Sequence, residues 1–271
     1  MQQAIWHDTE EWEGALTALG FSRGRSGHSF RSSGLWFTTD GRWCCLQTAL
    51  RRSKFDPLAC QPPVPGLWKL VAKGRRFRRV FELPLGVVRA AEADHLDGNG
   101  ASPFRECMAW ALATADGEAP ADWRTPPRAE LESWLPPGAL TVVCGGLARQ
   151  GALVDDPARL LLRFPIVSHV SPDLPESRLT WLRELLIDAQ TQWRMVRIRA
   201  VSDSGERSVV AEADLTGAPH PLIEGLMATA LAALGCVVSW VVASAAFVAD
   251  ATRECRALET CPARAWPAER R

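Results

Sequence analysis

The chain has 271 residues, 47% of them hydrophobic and 23% charged, with 31 basic and 31 acidic side chains. That composition is globular rather than disordered, and the even charge balance supplies no global field to draw the protein to nucleic acid or a membrane surface. The length suits one large domain or two of ordinary size. Only Lys54, Lys69 and Lys73 are lysines, every other side-chain cation is arginine, and tyrosine is absent; a GC-rich genome produces compositions of this kind.

The chain opens on MQQAIWHDTEEWEG, acidic and without the apolar run of a signal peptide. This predicts a cytoplasmic protein with reduced thiols. Eight cysteines are present but no C-x-x-C pair, and Cys44 and Cys45 are adjacent, so buried inert thiols are expected rather than a zinc site. Residues 10–19, with Trp12, read as a short helix. GLWFTTDGRWCCLQ (34–47) reads as two strands about an Asp40-Gly41 turn, where glycine accepts positive φ. The next stretch, 51–65, holds Pro57, Pro62, Pro63 and Pro65 and has no room for a full helix. A cationic hairpin follows over 69–79, returning through Val80 and Glu82. Pro103 and Glu106 then open an apolar helix.

DGEAPADWRTPP (116–127) has linker composition. Beyond it the same order returns. Residues 128–135 read as a helix with Trp134, and GALVDDPARLLLRF (151–164) as a hairpin. Pro172 and Pro175 open a helix whose apolar face is Leu179, Leu182, Leu185, Leu186 and Ala189. A second hairpin runs from Trp193 to Leu215, and His220-Pro221 opens another helix. Gly225 to Val248 is uncharged and long enough to span a bilayer. Gly235 near its middle predicts instead a buried helix followed by a second apolar element.

The two hairpin regions match residue by residue. Trp68-Lys69-Leu70-Val71 parallels Trp193-Arg194-Met195-Val196, and Val80, Glu82 and Leu85 parallel Val210, Glu212 and Leu215. The expected fold is therefore α+β: two tandem repeats, each an antiparallel sheet packed with helices, related by a pseudo-twofold axis. The boundaries are 1–118 for the first repeat, 119–127 for the linker, 128–252 for the second repeat and 253–271 for a flexible tail. In each repeat the order is helix, two or three strands, a connection, two strands and a helix. That order is similar to the class I type III secretion chaperones and the YbjN-like proteins, with RLLLRFPI (159–166) and VVAEADL (209–215) the nearest sequence echoes. The resemblance implies a non-enzymatic protein that holds a segment of a partner, with a dimer's arrangement formed inside one chain. Residues 51–65 depart from the pattern.

No phosphate-binding loop or H-E-x-x-H motif is present. His7, His28, His95, His169 and His220 lack partners at metal-ligand spacing, and HLDGNG (95–100) lacks the later ligands of a calcium loop. No metal or cofactor is expected. Glu82 and Glu212 are the carboxylates that could serve an enzyme; cross-strand pairing with Lys69 and Arg194 is the plainer role. The partner site is assigned to Lys73, Arg75, Arg76, Phe77, Arg78 and Arg79, beside the short connection that should leave the first sheet's edge uncovered. The expected ligand is an acidic amphipathic segment of another protein. Nucleic acid on the 69–79 hairpin is the alternative, and no membrane partner is expected.

Overall fold

The protein is described from a computed structural model that covers residues 12–24, 29–32, 34–48, 55–60, 64–73, 76–94, 102–144, 147–156, 159–167, 170–171, 173–203 and 206–258. Strands β1 (Ser22–Arg23), β2 (Phe30–Ser32), β3 (Leu35–Thr39), β4 (Trp43–Thr48), β5 (Lys69–Lys73) and β6 (Arg76–Pro84) form one antiparallel sheet in the order β1-β2-β3-β4-β6-β5. Strands β9 (Ala152–Asp156), β10 (Arg159–Val167), β11 (Arg197–Asp203) and β12 (Glu206–Asp214) form a second, in the order β11-β12-β10-β9. Strands β7 (Thr141–Cys144) and β8 (Leu147–Gln150) form a separate two-stranded antiparallel sheet. The fold is thus α+β with antiparallel sheets.

Local chemistry accounts for one strand turn and one helix start. The Asp40 carboxylate accepts from Arg42 N at 3.0 Å and Trp43 N at 2.8 Å, while Gly41 takes φ 82°. This fixes the β3–β4 turn as predicted. Helix α1 (Glu13–Ala18) precedes the first sheet. Strand β6 runs directly into helix α2 (Leu85–Asp94), which buries Leu85, Val88 and Ala91. Ser102 caps helix α3 (Pro103–Ala115) by accepting from Arg105 N, with proline in the first turn. Helix α4 (Arg128–Ser133) follows the linker. Helix α5 (Glu176–Gln192) buries Leu182, Leu185, Leu186 and Ala189, the predicted face.

Helix α6 runs unbroken from His220 to Leu258, 39 residues. The expected division at Gly235 is corrected. A glycine costs about 1 kcal/mol in a helix interior, and the face carrying Leu222, Ile223, Leu226, Met227, Ala230, Leu234, Val237, Val238 and Val241, all buried, outweighs that. Its segment His220–Ser244 is long and apolar enough to cross a membrane by length and composition, yet that face lies in the core. The helix also continues into the segment expected to be a flexible tail; residues 259–271 lie outside those described.

One core serves both halves of the chain. Phe30, Phe37, Leu46, Phe81, Phe104 and Trp110 lie in the same buried cluster as Leu162, Phe164, Ile198, Ala213, Leu222 and Leu234. Trp110 Nε1 donates to Thr216 O at 2.8 Å, and Trp123 Nε1, from the linker, donates to Ala218 O at 3.2 Å.

The sheet edges β5 and β11 meet at the end of α5. The Gln190 side chain, 1% exposed, donates from Nε2 to Leu70 O at 2.5 Å and accepts at Oε1 from Ile198 N at 2.6 Å. Thr191 Oγ1 accepts from Ala72 N at 3.0 Å. On the other edge, Pro57 O accepts from Ala200 N at 2.9 Å, and Cys60 makes a parallel bridge to Ala200. The expectation that the first sheet's edge lies uncovered is therefore corrected: the end of α5, about 120 residues downstream, closes β5. Gln190→Ala strips a partner from two backbone groups at once. Each unsatisfied buried group costs about 1–3 kcal/mol, so a loss of about 2–6 kcal/mol is expected in urea unfolding. A loss below about 1 kcal/mol would show that the edges hold without it.

Candidate partner-binding surface

Strand alternation gives the six-stranded sheet an inner face, with Phe30, Phe37, Leu46, Phe81 and Leu83 in the core, and an outer face. One transverse row of the outer face is set by register: Arg31 opposite Trp36, Trp36 opposite Gln47, Gln47 opposite Val80, and Val80 opposite Lys69. Beyond that row the β5–β6 hairpin adds Arg78 opposite Val71 and Arg76 opposite Lys73.

The structure divides the predicted hairpin residues. Lys73 and Arg76 are exposed on the outer face. Arg78 is half-buried there and donates to Gln47 Oε1 at 3.0 Å. Phe77 points to the inner side and meets Phe55 at 5.7 Å. Arg79, also inward, donates to Ala115 O at 2.6 Å and lies 5.0 Å over the Trp68 ring. It satisfies last-turn carbonyls of α3 and is thereby a structural residue. Arg75 lies outside the described residues. Arg31, which the sequence did not single out, joins the surface with its guanidinium 5.7 Å over Trp36. Strand alternation from Phe37, once that side chain is known to be core, is the signal that could have found it.

Among the described residues, Arg31, Lys73, Arg76 and Arg78 have no carboxylate within salt-bridge distance. The one carboxylate of this face's strands, Glu82, is already engaged. It pairs with Lys69 Nζ at 2.8 Å and with Arg194 NH1 at 3.6 Å. Lys69, 3% exposed, also donates to Gln190 O at 3.1 Å and to Trp193 O. Burial lowers the Lys69 pKa, and the Glu82 carboxylate opposes that shift. Arg194 bridges onward to Asp40 at 2.8 Å and stacks 5.1 Å over Trp43. Cys45 accepts from Arg194 at 3.4 Å; burial and then Glu82 push its thiol up to about 11, so it stays protonated.

Two sequence equivalences need correction. Trp68 leads straight into β5, whereas Trp193 is the cap of α5, four residues before β11 begins. Glu82 sits opposite Cys45, and Glu212 sits opposite Arg163. Residue identity pairs the tryptophans and the glutamates, whereas register is set by the turns.

The outer face of the four-stranded sheet is organised around Glu212, which is fully buried. Arg163 donates to it from Nε and NH2 at 3.3 and 3.2 Å, Arg197 from Nε and NH2 at 3.1 and 2.6 Å, and Arg199 from Nε at 2.6 Å. Asp214 accepts from Arg159 at 2.8 Å and Arg197 at 3.4 Å. Burial pushes the Glu212 carboxyl up, but Arg197 and Arg199 override it and hold the value at about 2, against 4.5 for an unperturbed group. Below pH 4.5 the unfolded chain takes up a proton that the folded chain refuses. On the order of 3 kcal/mol of stability, present above pH 4.5, is therefore lost as pH falls toward 2. Urea unfolding between pH 6 and 2.5 should show this slope, and Glu212→Gln should flatten it while lowering stability at neutral pH. An unchanged slope in that variant would assign the acid sensitivity to other carboxylates.

Compared with protein-family models, with curated protein sequences and with solved structures, the chain finds no match.

Proposed function

We propose that the chain is two α+β repeats related by a pseudo-twofold axis. Its proposed function is that of a non-enzymatic, cytoplasmic, chaperone-like adaptor holding an acidic amphipathic segment of a partner protein. Counting along the hydrogen-bond ladders supports the repeat. Cys45 opposite Glu82 corresponds to Leu161 opposite Asp214, and Lys69 opposite Val80 corresponds to Arg197 opposite Glu212. On that count Ala72 takes the place of Ala200, and each has its N–H capped by the other half's connection, by Thr191 and Pro57 respectively. Lys69 takes the place of Arg197. Each donates across to the other half, to Trp193 O and to Val64 O at 2.6 Å. The Glu82–Lys69 pair then corresponds to Asp214–Arg197. Reciprocal exchange of connections is what a dimer fused into one chain would retain.

The observation that carries the binding role is the set of cations on the first sheet's outer face, Arg31, Lys73, Arg76 and Arg78, unpaired with carboxylates among the described residues and set beside Trp36 and Val71. Both β5 and β11 have backbone groups taken by capping contacts, so strand addition there is blocked and a segment lying across the face is the supported mode. Apolar contact supplies affinity and the cations steer encounter. The indoles of this face, Trp36 and Trp43, already carry Arg31 and Arg194 over their rings. A nucleic-acid base would have to displace an arginine to stack there, which favours protein over single-stranded nucleic acid. The carboxylates offered for an enzyme, Glu82 and Glu212, are both held by cations.

The test is affinity capture from the native cell, followed by titration of the purified partner against wild type and a Lys73→Glu/Arg76→Glu variant, which changes only exposed cations. Affinity should fall at least about tenfold, 1.4 kcal/mol, with thermal stability nearly unchanged because exposed charges contribute little to folding. Arg79 stays intact, since it caps α3. Wild-type affinity in the variant would overturn the assignment.

A further inference from the structure

The outer face of the six-stranded sheet offers a ligand side chains and no backbone groups. Its row Arg31, Trp36, Gln47 and Val80 is paired strand to strand, so the main-chain groups there are spent within the sheet. The β5 edge is closed by Gln190 and Thr191, which bars entry as an added strand. An extended segment laid on the face would press backbone N–H and C=O groups against a surface with no main-chain partner for them. An α-helix satisfies its own backbone and presents side chains alone.

The cations of this face are spread out rather than gathered. Arg31 on β2 and Arg78 on β6 are three strand spacings apart in the order β2-β3-β4-β6, about 14 Å at about 4.8 Å each. Arg78 also lies two residues along β6 from Val80, where the row through Arg31 crosses that strand. Combining the two displacements puts Arg31 and Arg78 about 16 Å apart, with Arg76 about 20 Å from Arg31. Lys73 stands opposite Arg76. Trp36 and Gln47, both neutral and half-buried, occupy the interval. Arg31, Lys73 and Arg76 are exposed, and the side chains opposite these cations in the ladder are Ser22, Trp36 and Val71 and, for Arg76 and Lys73, each other. The Trp36 ring for Arg31 and Gln47 for Arg78 are the side-chain partners these cations have among the described residues.

We propose that the partner segment is an α-helix of about four turns with acidic residues at its two ends and apolar residues between. At about 1.5 Å per residue, 16 Å and 20 Å correspond to about eleven and about thirteen residues. Positions i, i+4, i+7, i+11 and i+14 share one helix face. Acidic residues at i, i+11 and i+14 then meet Arg31, Arg78 and the Arg76–Lys73 pair, and apolar residues at i+4 and i+7 cover Trp36 and the stem of Gln47. This rests on the assignment of the face to an acidic amphipathic segment, and adds its conformation and the spacing of its charges.

Calorimetric titration of the full chain at low ionic strength with three synthetic peptides built on alanine and glutamine tests it. The first carries glutamate at i, i+11 and i+14 and leucine at i+4 and i+7. The second has the same composition with the three glutamates gathered in one turn. The third is the first with two prolines between the leucines, which forbids the helix. The first should bind at least about tenfold more tightly than either of the others, a comparison that needs only the wild-type chain. Arg31→Gln should weaken the first peptide several-fold and leave the second unchanged, with circular dichroism checking that the variant is folded. Equal affinity for the first and second peptides, both lost in Lys73→Glu/Arg76→Glu, would overturn the spacing and leave the face itself assigned. Equal or tighter binding of the proline peptide would overturn the helix. No binding of the first peptide would overturn the proposal, and binding that Lys73→Glu/Arg76→Glu leaves at wild-type affinity would overturn the surface assignment with it.

Discussion

Gln190 carries a carboxamide into the place where two sheets end side by side. An edge strand presents unpaired N–H and C=O groups, and those groups are either satisfied or left open to aggregation. The β5 edge offers a carbonyl at Leu70 and the β11 edge an amide at Ile198. A primary amide has one donor end and one acceptor end, so a single side chain serves both. Aspartate or leucine at this position would satisfy one group or neither. Much else depends on that junction. It holds α5 against β5, sets the 193–196 segment over the first sheet's outer face, and brings Trp193 O to Lys69 and Arg194 to Glu82.

Lys69 shows why the junction is an interlock rather than a contact. A buried ammonium is stable only when its donors are engaged. It has the Glu82 carboxylate from its own half and two carbonyls, Gln190 O and Trp193 O, from the other. Separating the halves would strip those carbonyls and expose the charge pair to a changed dielectric. Arg197 makes the converse reach to Val64 O. Each half thus contributes acceptors that the other half's cation needs, and the single core across both follows from the same proximity.

What could be read from the sequence was local. The Asp40-Gly41 turn, the proline-led starts at Pro103 and His220, and the apolar face of α5 follow from short-range sterics and periodicity, and they stand where expected. Helix α2 escaped notice because β6 passes into it at Pro84-Leu85 without a capping side chain, although Leu85, Val88 and Ala91 recur at helical spacing. Gly235 suggested a break because the tertiary packing that outweighs its propensity is invisible in the chain. The β5 edge suggested an open surface because the element that covers it lies about 120 residues away. Arg79 looked like its neighbours in the cationic run, yet strand alternation turned it inward to the end of α3. Periodicity says which face a residue takes relative to its neighbours; it does not say which face meets the core or what arrives from elsewhere to cover an edge.

The two outer faces put arginine to different uses, and the placement of carboxylates decides which. On the first sheet the only strand carboxylate, Glu82, sits at the junction and is consumed there, so Arg31, Lys73, Arg76 and Arg78 stand over neutral neighbours such as Gln47 and Val71. Arg78 leans on Gln47 Oε1 and Arg31 on the Trp36 ring, and cations set among neutral groups at a surface are screened by salt. On the second sheet Glu212 occupies the middle strand, and Asp214 lies two residues further along. A carboxylate in the centre of a sheet can be reached from the strands on both sides, so it draws Arg163 and Arg197 inward and fixes their planes. The same residue type is therefore set among neutral groups on one sheet and clamped over buried carboxylates on the other.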